Sequence, residues 1–366
     1  MSRVALVSPY SLGVPGGVQE QVLAMSRELG RRGREVLVVA PDAADRATYD
    51  TPARLVRVGR LISMPANGSR APLTLSPGAA RDARRAVGAF APDVVHLHEP
   101  FAPLAGWGVL LAHSAPAVAT FHRSGGGPAL TLTRPLLRSL ARRLDAAAAV
   151  SEAAARTIRD AAGVRATVLF NGLETSRFVE FAREPRAEVE VLFLGRLEER
   201  KGAADAIEAV RDHNDTAAAP WRLVIVGDGP QRARLEALAG HDERIEFVGA
   251  ADDAAKRRWL RRARVVVAPS THGESFGLVL LEAMASETPV VASDIDGYRQ
   301  AAGGHTTLVA PRDPNGLVAG IAAALATSPE RVAAAREHAQ AWSTARLMDR
   351  YEEIYDDARR RFSARR

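Results

Sequence analysis

Residues 264–292 restrict the fold more than any other part of the chain. They read as a short apolar strand (264–268), a tight glycine turn from Gly273 to Gly277, an apolar helix through Leu278, Leu281 and Met284, and a second strand (289–292). Strand, turn, helix and strand in that order make a parallel crossover unit, and the alternation recurs along the chain. Strand-like runs stand at 4–7, 35–40, 93–97, 117–120, 146–150, 166–170, 191–194, 223–226 and 245–248. Helical spacing fills gaps between them, as in Val18, Val22, Met25 and Leu29. At 366 residues the chain has room for about two domains, each with its own core. A polar stretch at 183–190 reads as a linker, and the tail from Ser343 is helical, with Leu347, Tyr351, Ile354 and Tyr355 as its apolar positions. The expected fold class is α/β.

Composition excludes several alternatives. At 47% hydrophobic and 25% charged the chain is an ordinary globular protein. No apolar run approaches the ~20 residues of a membrane span. A strand-like pattern starts at Val4 and leaves no room for a signal peptide, so cytoplasmic folding is expected. With no cysteine there is neither a disulfide framework nor a thiolate zinc site. G-x-G-x-x-G and the Walker P-loop are both absent, which counts against dehydrogenase and NTPase readings. The basic run at 257–262 holds a single aromatic, Trp259, which is too little for a nucleic-acid surface, so no nucleic-acid partner is expected.

The net charge of +6 favours anionic partners. Arginine supplies all the positive charge apart from two lysines, Lys201 and Lys256. In so arginine-rich a chain, a surviving lysine points to a site wanting a compact, rotatable ammonium over a planar fork. The turn ending at Gly277 supplies the matching anion site. Free N–H groups and the positive end of the helix dipole suit a diphosphate there, and glycine lets a ligand approach the backbone. Glu274 and Glu282 bracket that turn, eight residues apart. Each carboxylate can accept two hydrogen bonds side by side, from a ribose diol at Glu282 and hexose hydroxyls at Glu274. Ligands of open α/β sheets bind beyond the carboxyl ends of strands, which brings in the loop closing at Gly16-Gly17 and the Phe121-His122 pair. Residues 60–77 read as a Pro/Gly/Ser-rich loop containing Asn67-Gly68-Ser69, ahead of a helix bearing Arg81, Arg84 and Arg85. Further on, Leu136, Leu137, Leu140 and Leu144 form a core-facing stripe opposite Arg134, Arg138 and Arg142. That basic face reads as solvated, with an anionic membrane as the alternative.

Gly273-Glu-Ser-Phe-Gly-Leu-Val-Leu-Leu-Glu282 resembles the donor-site signature of the family 4 retaining glycosyltransferases. The likeness extends through Ser8-Pro-Tyr10, Val14 to Gln19, Asn67 to Ser69, His96-Leu-His-Glu-Pro100, Ala119 to His122, Phe193-Leu-Gly-Arg196, Lys201-Gly202, Asp252-Asp253 and Lys256. It implies the GT-B fold, two Rossmann-like doubly wound domains facing across a cleft. Residues 1–170 would form the acceptor side, joined by the helix 343–366, and 171–342 the nucleotide-sugar side. Within the family the nearest branch moves mannose from GDP-mannose to a phosphatidylinositol-type lipid at the cytoplasmic membrane face. By that resemblance His122, Glu274, Arg196 and Lys201 are catalytic. The donor is held by Gly17, Arg196, Lys201, Asp253, Lys256, Glu274, Ser275, Phe276, Gly277, Leu278, Val279 and Glu282, with Asp253 and Lys256 on the guanine. Tyr10, Gln19, Asn67 and Ser69 meet the acceptor, and Arg81, Arg84 and Arg85 an anionic membrane. No metal and no cofactor is implied beyond the nucleotide sugar. Departures fall on the acceptor side: Ala66 replaces an aromatic, and Arg123-Ser-Gly-Gly-Gly-Pro128 replaces a loop with Thr and Lys. Another nucleotide sugar or a soluble acceptor is therefore the alternative, and a non-catalytic nucleotide- or nucleic-acid-binding α/β protein a minor one.

Overall fold

Runs of β-branched and small apolar residues with no polar alternation must be covered on both faces, the situation of parallel strands between helices. The computed structural model shows two such sheets. It describes residues 2–365 apart from 14–15, 42–48, 50, 60–61, 67–68, 74–75, 103–104, 113, 124, 126–131, 180–188 and 275, with backbone only at 62–66, 69–73, 77, 105 and 189. The chain divides into two compact units, Met1–Gly172 with Thr344–Arg366, and Leu173–Ser343.

The first unit runs β1 (Arg3–Val7), α1 (Gly17–Arg31), β2 (Glu35–Pro41), β3 (Arg54–Val58), β4 (Ile62–Ala66), β5 (Ser69–Leu73), α2 (Pro77–Phe90), β6 (Val94–His98), α3 (Ala105–Leu110), β7 (Ala117–Phe121), α4 (Arg134–Ala141), β8 (Ala146–Ala149), α5 (Glu152–Ala162) and β9 (Thr167–Val168), then the terminal helix (Thr344–Ala364). Its seven-stranded sheet has the order β3-β2-β1-β6-β7-β8-β9, parallel throughout. The second unit runs β10 (Val189–Leu194), α6 (Ala203–Asn214), β11 (Trp221–Val226), α7 (Arg232–Ala239), β12 (Ile245–Gly249), α8 (Asp253–Arg262), β13 (Val265–Ala268), α9 (Leu278–Ala285), β14 (Val290–Ser293), α10 (Asp296–Ala302), β15 (Thr307–Val309), α11 (Pro314–Leu325) and α12 (Pro329–Gln340). Its six strands are parallel in the order β12-β11-β10-β13-β14-β15. Val4, Leu6, Leu192 and Val224, all on inner strands, are fully buried. Among the described residues no single helix is long and apolar enough to cross a membrane.

Several expectations are corrected. Residues 60–77 are not simply a loop, because β4 and β5 pair antiparallel, from Ile62 with Leu73 to Ala66 with Ser69. Pro65 and Pro72 interrupt those strands in sequence and hide them, since proline cannot donate to a ladder. β3 also escaped notice. It is an edge strand whose first four residues are exposed or half-buried, so it lacks the apolar run of an inner strand. Leu136 is 44% exposed, whereas Leu137, Leu140 and Leu144 are buried, so the stripe is narrower than expected. Of the expected linker, 183–188 lies outside the described residues, and Val189 and Glu190 open β10. Of the 123–128 loop, only Arg123 and Gly125 are described.

The terminal helix belongs to the first unit for a specific reason. Tyr351 and Tyr355 are buried, and their hydroxyls end on polar side chains of the sheet. Tyr355 Oη pairs with His96 Nδ1 at 2.7 Å, His96 Nε2 with Thr120 Oγ1 at 2.7 Å, and Thr120 Oγ1 with Tyr351 Oη at 2.8 Å. A buried neutral imidazole needs one donor and one acceptor, and this chain supplies them. Tyr355→Phe should leave one ring nitrogen unpaired and lower stability by about 1–3 kcal/mol in denaturant unfolding. An unchanged midpoint would contradict that account.

Candidate functional site

An open parallel sheet binds ligands where neighbouring strands send their loops in opposite directions. In the second sheet that place lies between β10 and β13, because β10 sits between β11 on one side and β13 on the other. The loop after β10 carries Arg196 and Lys201, and the loop after β13 carries Glu274 and Gly277. In the first sheet the corresponding strands are β1 and β6, whose loops carry Tyr10 with Gly16-Gly17 and His98 with Glu99.

In the second unit the two loops meet through charge. Glu274 Oε1 accepts from Lys201 Nζ at 2.6 Å, from Arg200 Nη1 at 2.9 Å and from Ser270 Oγ at 3.3 Å. All three donors reach the same oxygen, so Oε2 is left without a partner among the described residues. Arg196 pairs with Glu198 at 2.7 Å. Helix α9, entered from the second loop, starts on Gly277, which provides no side-chain cap, whereas Asp252 Oδ1 caps α8 by accepting from Ala255 N at 2.7 Å. The first-turn N–H groups of α9 are therefore not claimed by a capping side chain.

Gly277 is glycine for a different reason from the one expected. Its φ is +81°, and an added Cβ would lie 2.5 Å from the Tyr298 ring. Left-handed backbone and close packing on a buried aromatic fix it, so access for a ligand is not what requires glycine. Phe276 is buried and its ring lies 4.8 Å from that of Trp342, so only its backbone is available to a ligand. Ser275 lies outside the described residues. Leu278 and Val279 are half-buried in the first turn of α9.

One turn further along α9, Glu282 is buried and accepts from Lys256 Nζ at 2.8 Å. Lys256 also lies 3.5 Å from Asp253, whose other neighbours are Arg177 at 3.2 Å and Arg257 at 3.3 Å. Glu282 Oε2 likewise has no partner among the described residues. Each lysine of the chain thus holds one glutamate of the bracketing pair, and each glutamate keeps one oxygen open.

In the first unit His122 follows the end of β7. Its Nε2 lies 3.0 Å from His98 Nδ1, which leaves Nδ1 for a ligand. Glu99 Oε1 accepts from the backbone N–H of His122 and, at 2.5 Å, of Arg123. Glu99 adopts a left-handed φ of 44°, unusual for a residue with a side chain. Burial pushes the His96 and His122 imidazoles down to about 3 and His98 well below its ordinary value, so all three are neutral at pH 7. Burial, helped by Glu99, pushes the Tyr10 phenol up to about 12. Gly17 is exposed and nothing crowds its Cβ direction closer than Asn171 Nδ2 at 3.9 Å. Gln19 is buried, with its amide against Gly16. Asn67 lies outside the described residues, and of Ser69 only the backbone is described. Arg81, Arg84 and Arg85 are exposed on α2, opposite buried Ala79, Ala83 and Val87, and have no ion-pair partner among the described residues.

Sequence reasoning passed over Glu198, Arg200, His98 and Glu99. His98 and Glu99 fall within a stretch of the family likeness that gave them no role, and nothing marks Glu198 and Arg200 in an arginine-rich chain, since all four act through contacts formed only in the folded unit.

Residues 188–327 match the family described as glycosyl transferases group 1, and residues 15–177 match glycosyltransferase family 4. The chain is 40% identical over 309 residues to the phosphatidyl-myo-inositol mannosyltransferase of Mycobacterium leprae, covering 81% of this chain and 80% of that protein. It is 37% identical over 374 aligned positions to the protein of that name from Mycolicibacterium smegmatis, covering 96% and 94%. Among solved structures it is similar to sucrose-phosphate synthase from Thermosynechococcus elongatus, with a TM-score of 0.75 at 20% identity, covering 97% of this chain and 98% of that one. At that identity the likeness carries the GT-B fold and not the substrate.

The neutral histidines have a pH consequence. Their folded pKa values lie below the unfolded 6.5, so from about pH 6.5 down toward pH 3 the unfolded chain binds protons that the native chain does not. Stability should fall with falling pH by up to about 1.4 kcal/mol per unit for each histidine. Glu99, held above its ordinary value by burial, opposes this with a single proton. The thermal midpoint is expected to drop between pH 7 and pH 5, and a flat profile there would contradict the burial argument.

Proposed function

The chain belongs to glycosyltransferase family 4, and from that footing we propose that it moves mannose from GDP-mannose to a phosphatidylinositol-type lipid. The mannosyl group and the lipid acceptor are taken from the name shared by the mycobacterial relatives at 40% and 37% identity, and the guanine nucleotide from the reading of Asp253 and Lys256. The observation that carries the chemistry is the switch-point arrangement of the second unit. There, two cations and a carboxylate with one open oxygen stand beside a helix start without a side-chain cap.

In this reading the donor diphosphate faces the first turn of α9, where Leu278 and Val279 offer backbone N–H groups, with the Phe276 backbone and Ser275 as further donor contacts. Arg196 and Lys201 offset the charge that builds on the diphosphate as its bond to the anomeric carbon breaks. The leaving group is already an anion and these cations receive it, so no metal or further cofactor is called for. The acceptor hydroxyl oxygen bonds to the anomeric carbon on the face the diphosphate vacates, and its proton passes to the departing diphosphate oxygen, so configuration is retained. Glu274 Oε2 accepts from hexose hydroxyls, Glu282 Oε2 from the ribose diol, and Asp253 with Lys256 addresses the guanine edge. His122, neutral and fixed by His98 and Glu99, contributes a hydrogen bond and no fixed charge. Gly17 lets its loop approach the donor phosphates, Tyr10, Gln19, Asn67 and Ser69 serve the acceptor side, and Arg81, Arg84 and Arg85 meet anionic lipid at the membrane surface.

Calorimetric titration should show GDP binding more tightly than UDP, and preference for UDP would remove the guanine assignment. Glu274→Ala should lower sugar transfer by about a hundredfold or more, the scale of losing one catalytic electrostatic partner, while the fold persists. Vesicles containing phosphatidylinositol should bind the protein less as salt rises, and Arg81→Ala with Arg84→Ala and Arg85→Ala should weaken binding at least about tenfold. Indifference of transfer and binding to lipid, with activity on a soluble glycan, would replace the lipid acceptor.

A further inference from the structure

Five charged side chains of the second unit form one line: Arg196, Glu198, Arg200, Glu274 and Lys201. Arg196 meets Glu198 Oε1 at 2.7 Å, Arg200 Nε and Nη2 meet Glu198 Oε2 at 3.0 and 2.9 Å, and Arg200 Nη1 meets Glu274 Oε1 at 2.9 Å. Lys201 Nζ closes the line on the same Glu274 oxygen at 2.6 Å. The acids are the sheltered members, with side chains 15% and 12% exposed, and Arg196 at one end is the most open at 54%. The two terminal cations are the ones assigned to the diphosphate above, and this inference rests on that donor site.

The middle cation differs from the ends in how it is held. Arg200 bridges both acids and also reaches the Gly273 carbonyl at 3.4 Å, so turning away would take one cation from each of two carboxylates and leave Glu274 with Lys201 alone. Lys201 Nζ has Glu274 as its one polar partner among the described residues and hangs on a flexible stem. An incoming diphosphate therefore competes with Glu274 for Lys201. If Lys201 were its only cation, Glu274 would hold that lysine more firmly, and losing it would leave a sheltered carboxylate beside two new negative charges.

We infer that Arg200 is a positioning residue that keeps Glu274 neutralised and in place so that Lys201 can leave it for the donor diphosphate. Arg200→Gln then weakens GDP binding by about tenfold or more, the worth of one charge-assisted hydrogen bond. Arg200→Lys, which keeps a cation beside Glu274, stays within about threefold of the native protein. The decisive variant is Arg200→Gln with Glu274→Gln. With the carboxylate gone Lys201 has nothing to neutralise, so GDP affinity returns to within about twofold of Glu274→Gln alone, a rescue that a merely structural role for Arg200 does not produce. The measurement is calorimetric titration of the full chain with GDP and with UDP. Native affinity in Arg200→Gln, or a double variant that stays weak, overturns the inference. Absence of GDP and UDP binding by the native chain overturns the donor site and this inference together, whereas native binding with an indifferent Arg200→Gln overturns this inference alone.

Discussion

Because every strand of the two large sheets runs parallel to its neighbours, each crossover segment starts at the carboxyl edge of its sheet, and the loops entering the helices are gathered there. Where strand order reverses, beside β1 and beside β10, neighbouring loops part and leave a crevice that backbone alone does not fill. Of the polar residues singled out in the sequence, Tyr10 stands on the loop after β1, and Arg196, Lys201 and Glu274 on the loops after β10 and β13. Their positions follow from sheet topology, and the local motifs only decide which side chains are offered.

Charge pairing then determines the state of the second unit's crevice. A carboxylate sheltered from water is unfavourable unless a cation lies against it. Glu274 and Glu282 meet that requirement with Lys201 and Lys256, each at the cost of one oxygen only. The same groups that would bind phosphate and hydroxyl thus satisfy one another when no donor is present. On the proposed donor site, binding would be an exchange of partners at Lys201, and unpaired charges would not be buried afresh. A rotatable ammonium suits that exchanged role and the forked guanidinium of Arg200 the fixed one.

In the first unit burial does comparable work with opposite sign. His96, His98 and His122 are held neutral by desolvation; both ring nitrogens of His96 are spent on Tyr355 and Thr120, and His98 Nδ1 meets His122 Nε2, while His98 Nε2 has no partner among the described residues. The terminal helix takes part through Tyr351 and Tyr355, so the element latest in sequence supports, at Thr120, the strand that His122 follows. Ring stacking of His96 on His98, at 4.6 Å between centroids, continues the same column.

By itself the sequence determined the α/β class, nearly all inner strands, the glycine turn into α9, and the family, because unbroken apolar runs and an acidic pair at fixed spacing are local properties. It did not disclose β3, β15 or the β4–β5 hairpin, because β3 and β15 are incompletely buried edge strands and the hairpin carries prolines, which removes the apolar signal. The reason for Gly277 was also hidden, since the Tyr298 ring that crowds it is twenty-one residues away. Only the tertiary structure decided that each lysine faces one particular glutamate, that Arg200 joins Glu198 to Glu274, and that Glu99 fixes the backbone at His122. Those pairings join loops distant in the chain, and no periodicity or spacing encodes which of many arginines a fold will bring to a given carboxylate.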